Sequence, residues 1–384
     1  MKSLLIGLLT LAGLGHAATQ YAVQEIEAPD TGTVFVIGDE ILNGRGQVLG
    51  WIRENGVGRQ FIWDAERGSR VLELDQPGLR LARVRDVNDQ GTLLCEVELD
   101  TGSRVPCTWN SEEQEVQLID PPHPGEEVQA YALNNGGQVL LMSGDRQAPL
   151  FDIWDAENGP RPVDPKTPPW VVPEALNDLG QVLFQDDSWS PQTTLIWQEG
   201  VPMRRIYAPK GHLARCLALN NGGDVLGIVG KDDAALFWMV WTHGGRQIKL
   251  QSSAKVDLIA LNDRLELVGR KADRAIFWSQ STGWVDLNDR IDRATGWILQ
   301  DAIAINETGQ ILAIAHTATD RDSQTLILLT PTQPMAKPSP QSAEQTSGGD
   351  SPHRAPGAPQ GRNEQRRRCP LDARLQRIVR EAAR

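Results

Sequence analysis

The chain has 384 residues and a net charge of −12, and its aromatic content is only 5%, with twelve Trp against three Tyr. The acidic balance disfavours nucleic acid as a partner, because binding to phosphate depends on neutralisation by Lys and Arg. The length allows one large all-β domain. The excess of Trp over Tyr indicates that Trp holds a recurrent position, as it would in a repeat protein.

Residues 1–17 are predicted to form a secretory signal peptide. Lys2 precedes an apolar stretch from Leu4 to Leu14, and small residues follow at Ala17 and Ala18, which is the typical order of such a signal. The alternative is an N-terminal membrane anchor, but the stretch is too short to span a bilayer comfortably. We therefore expect a protein secreted to the periplasm or the extracellular space, with no transmembrane segment.

An Asn recurs seven times at intervals of 42 to 46 residues, which is the mark of a repeat architecture. Asn can bond to its own backbone two residues on, and the Gly found three residues later in six copies accepts the positive φ of a hairpin. Turn formation is therefore favoured over the alternative, a ring of Asn ligands. The sixth copy has Leu265 in place of Gly, so its turn is predicted to be strained or differently built. The seven residues are Asn43, Asn88, Asn134, Asn177, Asn220, Asn262 and Asn306.

Each repeat is predicted to contain four short strands. About twenty residues after most of the Asn positions, an apolar trio ends on Trp, as in 61–63, and in the fifth repeat this trio is assigned to 236–238. A turn and a fourth strand follow. In the first strand, small Ala alternates with bulky apolar residues, which suits the crowded innermost strand of a propeller blade.

The seventh repeat has only three predicted strands before Pro331. Residues 21–26, which precede the first repeat, have the character of a fourth strand but no repeat of their own to belong to. If this segment completes the last sheet, the ring closes and leaves no exposed edge. An open solenoid would instead need polar caps at both ends, and none is visible. The predicted fold is therefore all-β: a seven-bladed β-propeller of four-stranded repeats over residues 18–332, closed by an N-terminal latch strand.

The repeats also resemble the bacterial extracellular HAF repeat family over residues 21–332. The resemblance is closest in the last copy, at 286–291, 296–297, 304–311 and 328–331. The second repeat departs from the pattern, with Thr92 and Cys95 in place of the usual Gln and Gly, as does the sixth turn. The resemblance implies secretion and a repeat fold, and it supplies no catalytic residues.

Cys95 and Cys107 flank a segment, 99–103, that fits a three-residue hairpin loop. This register places the two Cys opposite each other, and a disulfide bond is predicted because secretion permits one; the alternative is two unpaired small residues. Cys216 and Cys369 have no evident partner.

The C-terminal part of the chain differs from the repeats in composition. Residues 333–368 are rich in Pro, Ser, Gly and Arg and are predicted to be a disordered linker. Residues 369–384 have the spacing of a short basic amphipathic helix. Such a helix would dock on an acidic partner or a membrane surface, and the alternative is a frayed tail of marginal helicity.

No motif for catalysis, metal ligation or a cofactor is present, so none of these is expected. The candidate binding residues are defined by position, because the residue three places before the Asn is polar in the first four repeats. If these residues face the central channel, they give it one polar side for a small ligand or ion; mere filling of the channel wall is the favoured alternative. The four residues are Glu40, Arg85, Tyr131 and Glu174.

These observations predict a secreted, monomeric, non-catalytic repeat scaffold that binds a protein or a glycan partner. Two alternatives remain open: a propeller enzyme acting on glycans, and a structural envelope component tethered by the basic tail. The absence of a catalytic motif favours the scaffold.

Overall fold

A computed structural model describes residues 19–29, 34–54, 56–123, 125–144, 148–164, 171–186, 193–230, 236–250, 256–321 and 323–332. The predicted signal peptide, linker and C-terminal helix lie outside these ranges, as does Cys369. None of the described helices has the length and apolar character needed to cross a membrane.

The described chain forms seven antiparallel sheets, each of four strands in meander order. Blade one comprises β2 (Val34–Leu42), β3 (Val48–Glu54), β4 (Val57–Asp64) and β5 (Gly68–Val71); blade two, β6 (Leu79–Val87), β7 (Thr92–Leu99), β8 (Arg104–Asn110) and β9 (Glu115–Leu118). Blade three comprises β10 (Val128–Leu133), β11 (Val139–Ser143), β12 (Leu150–Asp155) and β13 (Gly159–Val163); blade four, β14 (Val171–Leu176), β15 (Val182–Asp186), β16 (Thr193–Gln198) and β17 (Val201–Tyr207). Blade five comprises β18 (Leu213–Leu219), β19 (Val225–Gly230), β20 (Phe237–Trp241) and β21 (Gln247–Leu250); blade six, β22 (Val256–Leu261), β23 (Leu267–Lys271), β24 (Arg274–Ser279) and β25 (Gly283–Asp286). Blade seven comprises β26 (Trp297–Ile305), β27 (Ile311–Thr317), β28 (Thr325–Pro331) and β1 (Tyr21–Ile26), and two 3-10 helices, Leu287–Asp289 and Arg293–Thr295, connect it to blade six.

The seven sheets are arranged as a ring. The first strands of blades two to seven contact one another in order, and β26 of the last blade contacts β2 of the first. The first strands therefore surround the central axis, and the predicted seven-bladed β-propeller is confirmed.

The latch strand is also confirmed. β1 pairs with β28 along its whole length, from Tyr21 opposite Pro331 to Ile26 opposite Leu326. Tyr21 and Ile26 are buried. Because β1 comes from the start of the chain and β28 from the end of the last repeat, their pairing ties the two ends of the ring together.

The hydrophobic core is divided into seven layers, one between each pair of neighbouring blades. The layer between blades seven and one, for example, contains Ile26, Phe61 and Leu312. Buried Trp side chains of the third strands, such as Trp63 and Trp109, belong to these layers. Stability thus depends on the contacts between blades rather than on one central core.

The repeated Trp of blade five was assigned to the wrong residue in the sequence. In blades one to four and in blade six it pairs with the residue five places after the Asn, as Trp154 does with Val139. In blade five the residue in this register is Trp241, opposite Val225. Trp238 instead donates from Nε1 to the backbone oxygen of Val256 in blade six at 2.7 Å. The segment 237–241 contains two Trp, and only the pairing register distinguishes them.

The meander order gives the ring two distinct faces, because successive antiparallel strands run in opposite directions. The Asn turns between first and second strands, and the turns between third and fourth strands, lie on one face, here called the Asn-turn face. The hairpins between second and third strands, and the connections to the next blade, lie on the opposite crossover face.

Candidate functional site

Each of the seven Asn residues begins a turn of the same build at the end of its first strand. Its Oδ1 accepts a hydrogen bond from the backbone N–H four residues on, at 2.7–3.1 Å. The residue three places on donates its N–H to the Asn backbone oxygen at 3.0–3.1 Å. In the sixth turn this residue is Leu265, with a φ of 56°. That turn keeps the common hydrogen bonds, but Leu265 must adopt a left-handed backbone conformation that is unfavourable for a residue with a side chain.

The Asn side chains also connect the blades. Each Nδ2 donates to the backbone oxygen of the corresponding Asn in the next blade, at 2.9–3.3 Å. The last of these bonds runs from Asn306 to Asn43, so the ring of hydrogen bonds is closed. The Asn side chains are at most 6% exposed. Their amide groups therefore bond within the protein and are not presented as ligands.

The residues that follow the Asn positions form a second ring at the same mouth of the channel. In six of the seven positions the backbone N–H donates to the side chain of its counterpart in the next blade, at 2.6–2.9 Å. The ring is open at Gly44, which has no side chain to accept the N–H of Glu307. Its side chains come from Asp89, Asn135, Asp178, Asn221, Asp263 and Glu307.

This second ring gives the Asn-turn mouth an acidic rim. Asn135 donates from Nδ2 to both Asp89 and Asp178, and Asn221 donates to Asp178. Burial and the neighbouring Asp263 raise the pKa of Glu307 to about 7. Within the described ranges, no three His, Cys, Asp or Glu side chains are grouped so that they could hold a metal ion. The rim carboxylates thus serve as acceptors between blades.

The candidate channel residues lie at irregularities of the innermost strands. The pairing register shifts at Arg85, Tyr131 and Glu174, which are each left without a direct partner on the second strand. Such bulges re-aim a side chain. Glu40 lies in β2, where the register also shifts, and its side chain is outside the described part of the chain. In blades five to seven the same position is held by Leu217, Ile259 and Ile303.

The candidate channel residues have separate partners. Arg85 forms an ion pair with Glu96 at 2.6 Å. Glu174 pairs with Arg215 of blade five at 3.4 Å. The hydroxyl of Tyr131 lies 3.5 Å from the sulfur of Met142 (Sδ). The structure therefore distributes these residues over different contacts instead of joining them in one cluster.

The sequence analysis did not identify three further charged residues on the first strands. In blades five, six and seven the residue two positions before the bulge is charged, namely Arg215, Asp257 and Asp301. Asp257 and Asp301 flank Arg270, with nearest N–O distances of 3.5 and 3.8 Å. Burial raises the pKa of Asp301 to about 6, with Arg270 opposing and Asp257 adding to the shift. The period-two alternation of a strand was the signal that would have identified these positions.

Two cavities are lined by residues of this polar set. A cavity of about 240 Å³ between blades one and two is lined by Trp51, Gln60, Arg83 and Arg85, among others. A cavity of about 730 Å³ at blade six is lined by Asp257, Arg270 and Trp284, among others. Trp51 is thus at the first cavity and Trp284 at the second, whereas Trp170 and Trp189 lie outside the described residues.

Cys95 and Cys107 lie directly opposite each other on β7 and β8 and are fully buried. The hairpin between them turns at Gly102, with a φ of 81°. Both are present as thiols, and the disulfide bond between them stays a prediction. Cys216 is buried in blade five, where its sulfur is 3.1 Å from the Thr194 hydroxyl.

No protein-family model and no curated protein sequence matches the chain. Among solved structures it is similar to an oligogalacturonate lyase in complex with manganese, with a TM-score of 0.52 and 13% identity over 82% of this chain and 94% of that one. It is also similar to the β-propeller domain of the trilobed protease from Pyrococcus furiosus, which has an open velcro topology (TM-score 0.53, 9% identity, 81% and 99% covered). A streptogramin B lyase gives a TM-score of 0.50 at 10% identity, with 81% and 98% covered. At these identities the likeness concerns the fold alone: the chain is a seven-bladed β-propeller.

Proposed function

We propose that this protein is a secreted, non-catalytic scaffold that binds a glycan or protein partner at the cell envelope or outside the cell. The observation that carries the proposal is the double closure of the ring. The Asn amides link every blade to the next, and β1 pairs with β28 to join the ends. A frame of this kind holds the strand ends on its crossover face in fixed relative positions, which lowers the entropy cost of binding.

The positions of the unusual carboxylates also favour a scaffold over an enzyme. Acid and base catalysis by a carboxylate pair needs two such groups on either side of one substrate. Burial raises the pKa of Asp86 to about 6, but its carboxylate accepts hydrogen bonds from the backbone N–H groups of Val87 and Leu133 and so connects blades two and three. Asp301 adjoins Arg270 in blade six, and Glu307 is on the Asn-turn face. These three groups are dispersed and do not form one reaction centre.

Secretion and the family membership remain part of this proposal. The N-terminal segment has the order of a signal peptide, and the repeats resemble the extracellular HAF family. Fractionation of the producing cells would test location: a processed chain beginning near Ala18 in the periplasm or medium is expected, and an unprocessed cytoplasmic chain would contradict secretion.

The binding function is tested by a glycan array and a crosslinking capture of envelope proteins, with a screen for hydrolase and lyase activity in parallel. We expect saturable binding to a glycan or a protein without turnover. Turnover of any substrate in the screen would overturn the non-catalytic proposal. Deletion of residues 333–384 serves as the control for the tether alternative, and binding is expected to survive it.

A further inference from the structure

The cavity of about 730 Å³ at blade six has the dimensions of a small-molecule site. It lies at the hairpin between β23 and β24, and residues of all four strands of the blade contribute to its lining. The lining residues on which the argument depends are Asp257, Arg270, Lys271, Arg274, Trp284 and Asp286.

Arg270 has hydrogen-bonding capacity that the described chain does not use. Its side chain is 24% exposed, and the nearest carboxylate oxygens to its guanidinium, from Asp257 and Asp301, are 3.5 and 3.8 Å away. Both distances exceed those of ordinary hydrogen bonds. Among the described residues the side chain of Arg270 makes no hydrogen bond, although a guanidinium has five N–H donors. These donors remain available to acceptors in the cavity.

Asp301 is the second under-used group. The residue is 5% exposed, and its Oδ1 is buried without a hydrogen-bond partner among the described residues. A buried polar atom without a partner is rare in a folded protein and calls for a water or ligand that satisfies it. Because Asp301 adjoins the guanidinium of Arg270, the unsatisfied donors and the unsatisfied acceptor lie at one place.

The charge balance of the lining indicates what kind of ligand fits. The lining has three basic side chains (Arg270, Lys271 and Arg274) and three acidic ones (Asp257, Asp273 and Asp286), so their formal charges cancel. Arg274 is ion-paired with Asp286. A cavity without net charge does not select an anion or a cation.

The chemistry of the lining indicates more closely which class of ligand would bind. Donors from Arg270 next to acceptors from Asp257 suit hydroxyl groups, which both donate and accept. Trp284 adds an aromatic side chain, which packs against Trp278 with ring centroids 6.3 Å apart. Aromatic side chains with a few placed polar groups are typical of small-ligand sites.

We propose that this cavity binds a neutral carbohydrate, whose hydroxyl groups accept hydrogen bonds from Arg270 and donate to Asp257. Asp301, which is outside the lining, adjoins the guanidinium, and its free oxygen receives a hydrogen bond from a water. The inference rests on the proposed binding function and names its ligand class and its location.

The test is calorimetric titration of the full chain with cellotetraose, xylotetraose and mannotetraose, and with tetragalacturonate as the charged comparison. We expect at least one neutral tetrasaccharide to bind, and Arg270→Gln to weaken it at least tenfold. Asp257→Asn is the second variant, expected to weaken binding at least threefold. Arg293→Gln, a side chain 90% exposed on a 3-10 helix outside the lining, is the matched control and should leave affinity within twofold.

Three outcomes would overturn the inference. One is unchanged affinity in folded Arg270→Gln and Asp257→Asn, which would leave glycan binding intact but place it elsewhere. Another is binding of tetragalacturonate but of none of the neutral sugars. The third is a chain that captures a protein partner but no carbohydrate; the scaffold function would then stand without this site.

Discussion

The Nδ2 of Asn306 donates to the backbone oxygen of Asn43 at 2.9 Å, although the two residues are 263 positions apart in sequence. This bond joins the last turn to the first. The ring is therefore closed twice, by this hydrogen bond at the inner edge of the blades and by the pairing of β1 with β28. The two contacts can be tested separately.

Asn306→Ala is expected to lower the free energy of unfolding by about 2–4 kcal/mol, because it removes several buried hydrogen bonds. The oxygen of Asn43 would then accept only from the backbone N–H of Gly46. Asn306→Asp should also destabilise, since it keeps the acceptors but loses the donor. Urea denaturation measures both. Thr308→Ala, in the same turn but exposed, is the control and should cost less than about 1 kcal/mol. Equal effects of Thr308→Ala and Asn306→Ala would argue against a special role for the ring.

A chain lacking residues 18–27 is expected to lose at least about 3 kcal/mol of stability, because the deletion exposes the edge of β28 and removes the buried Tyr21 and Ile26. Thermal denaturation and light scattering would report the loss and any edge-to-edge association. Gln24→Ala, an exposed position of the same strand, should have little effect. An unchanged melting temperature after the deletion would refute the latch.

Gly137→Ala is expected to destabilise by about 1–2 kcal/mol. Its φ is 75° and an added Cβ would meet no heavy atom within 4 Å, so the cost is that of the backbone conformation alone. Gly244 is the matched control, because its surroundings are equally open and its φ is not positive. Gly244→Ala should be neutral or slightly stabilising. Chemical denaturation of the two variants compares them directly, and a similar loss in both would contradict the explanation.

Stability should rise as the pH falls from about 7.5 to 5. The pKa of Asp301 is about 6 in the folded protein, higher than its value of about 3.9 in an unfolded chain. The folded state therefore binds the proton more tightly, and the free energy of unfolding increases as pH falls through the folded pKa. The contribution is on the order of 1–3 kcal/mol for this one group.

Asp301→Asn provides the comparison for that pH dependence. It should be more stable than the wild type at pH 7.5 and show a flatter dependence between pH 7.5 and 5, measured by urea denaturation at both values. The charged groups that act on the pKa of the Asp301 carboxyl are Arg270, which lowers it, and Asp257, which raises it. The same slope in both proteins would show that Asp301 does not titrate in this range.

Protein recovered from an oxidising compartment is expected to contain the Cys95–Cys107 bond. Alkylation under denaturing conditions without a reductant, followed by peptide mass analysis, should find the two residues linked and Cys216 alkylated. Reduction should cost about 2–3 kcal/mol, because the bond closes a short loop. Cys107→Ala serves as the control, since reduction should not change its stability. Alkylation of Cys95 and Cys107 in the unreduced wild type would contradict the bond.

The blades and the latch were predictable because their signals are local. An Asn followed by Gly three residues later specifies a turn by backbone chemistry alone, and the missing fourth strand of the last repeat pointed to residues 21–26. The repeated Trp of blade five was not predictable, because Trp238 and Trp241 both follow apolar pairs and only the register of β19 and β20 separates them.

The polar site was predicted less well than the fold. The bulge position was identified through Arg85, Tyr131 and Glu174, but the sequence does not show that a bulge precedes each turn or which neighbours these side chains meet. Arg270 is on a second strand, and Asp301 reaches it from the next blade. Contacts of that kind depend on how blades stack, which a repeat pattern within one chain segment does not encode.

The backbone N–H of Thr332 donates to the oxygen of Gln20 at 2.9 Å, so the first and last residues of the ring are side by side. The chain could be joined there and opened at another hairpin, such as the loop between β7 and β8, without breaking any interface between blades. In such a circular permutant a different blade would be assembled from both ends. The composite blade then depends only on the point at which the chain enters the ring, whereas the seven interfaces between blades are what the architecture requires.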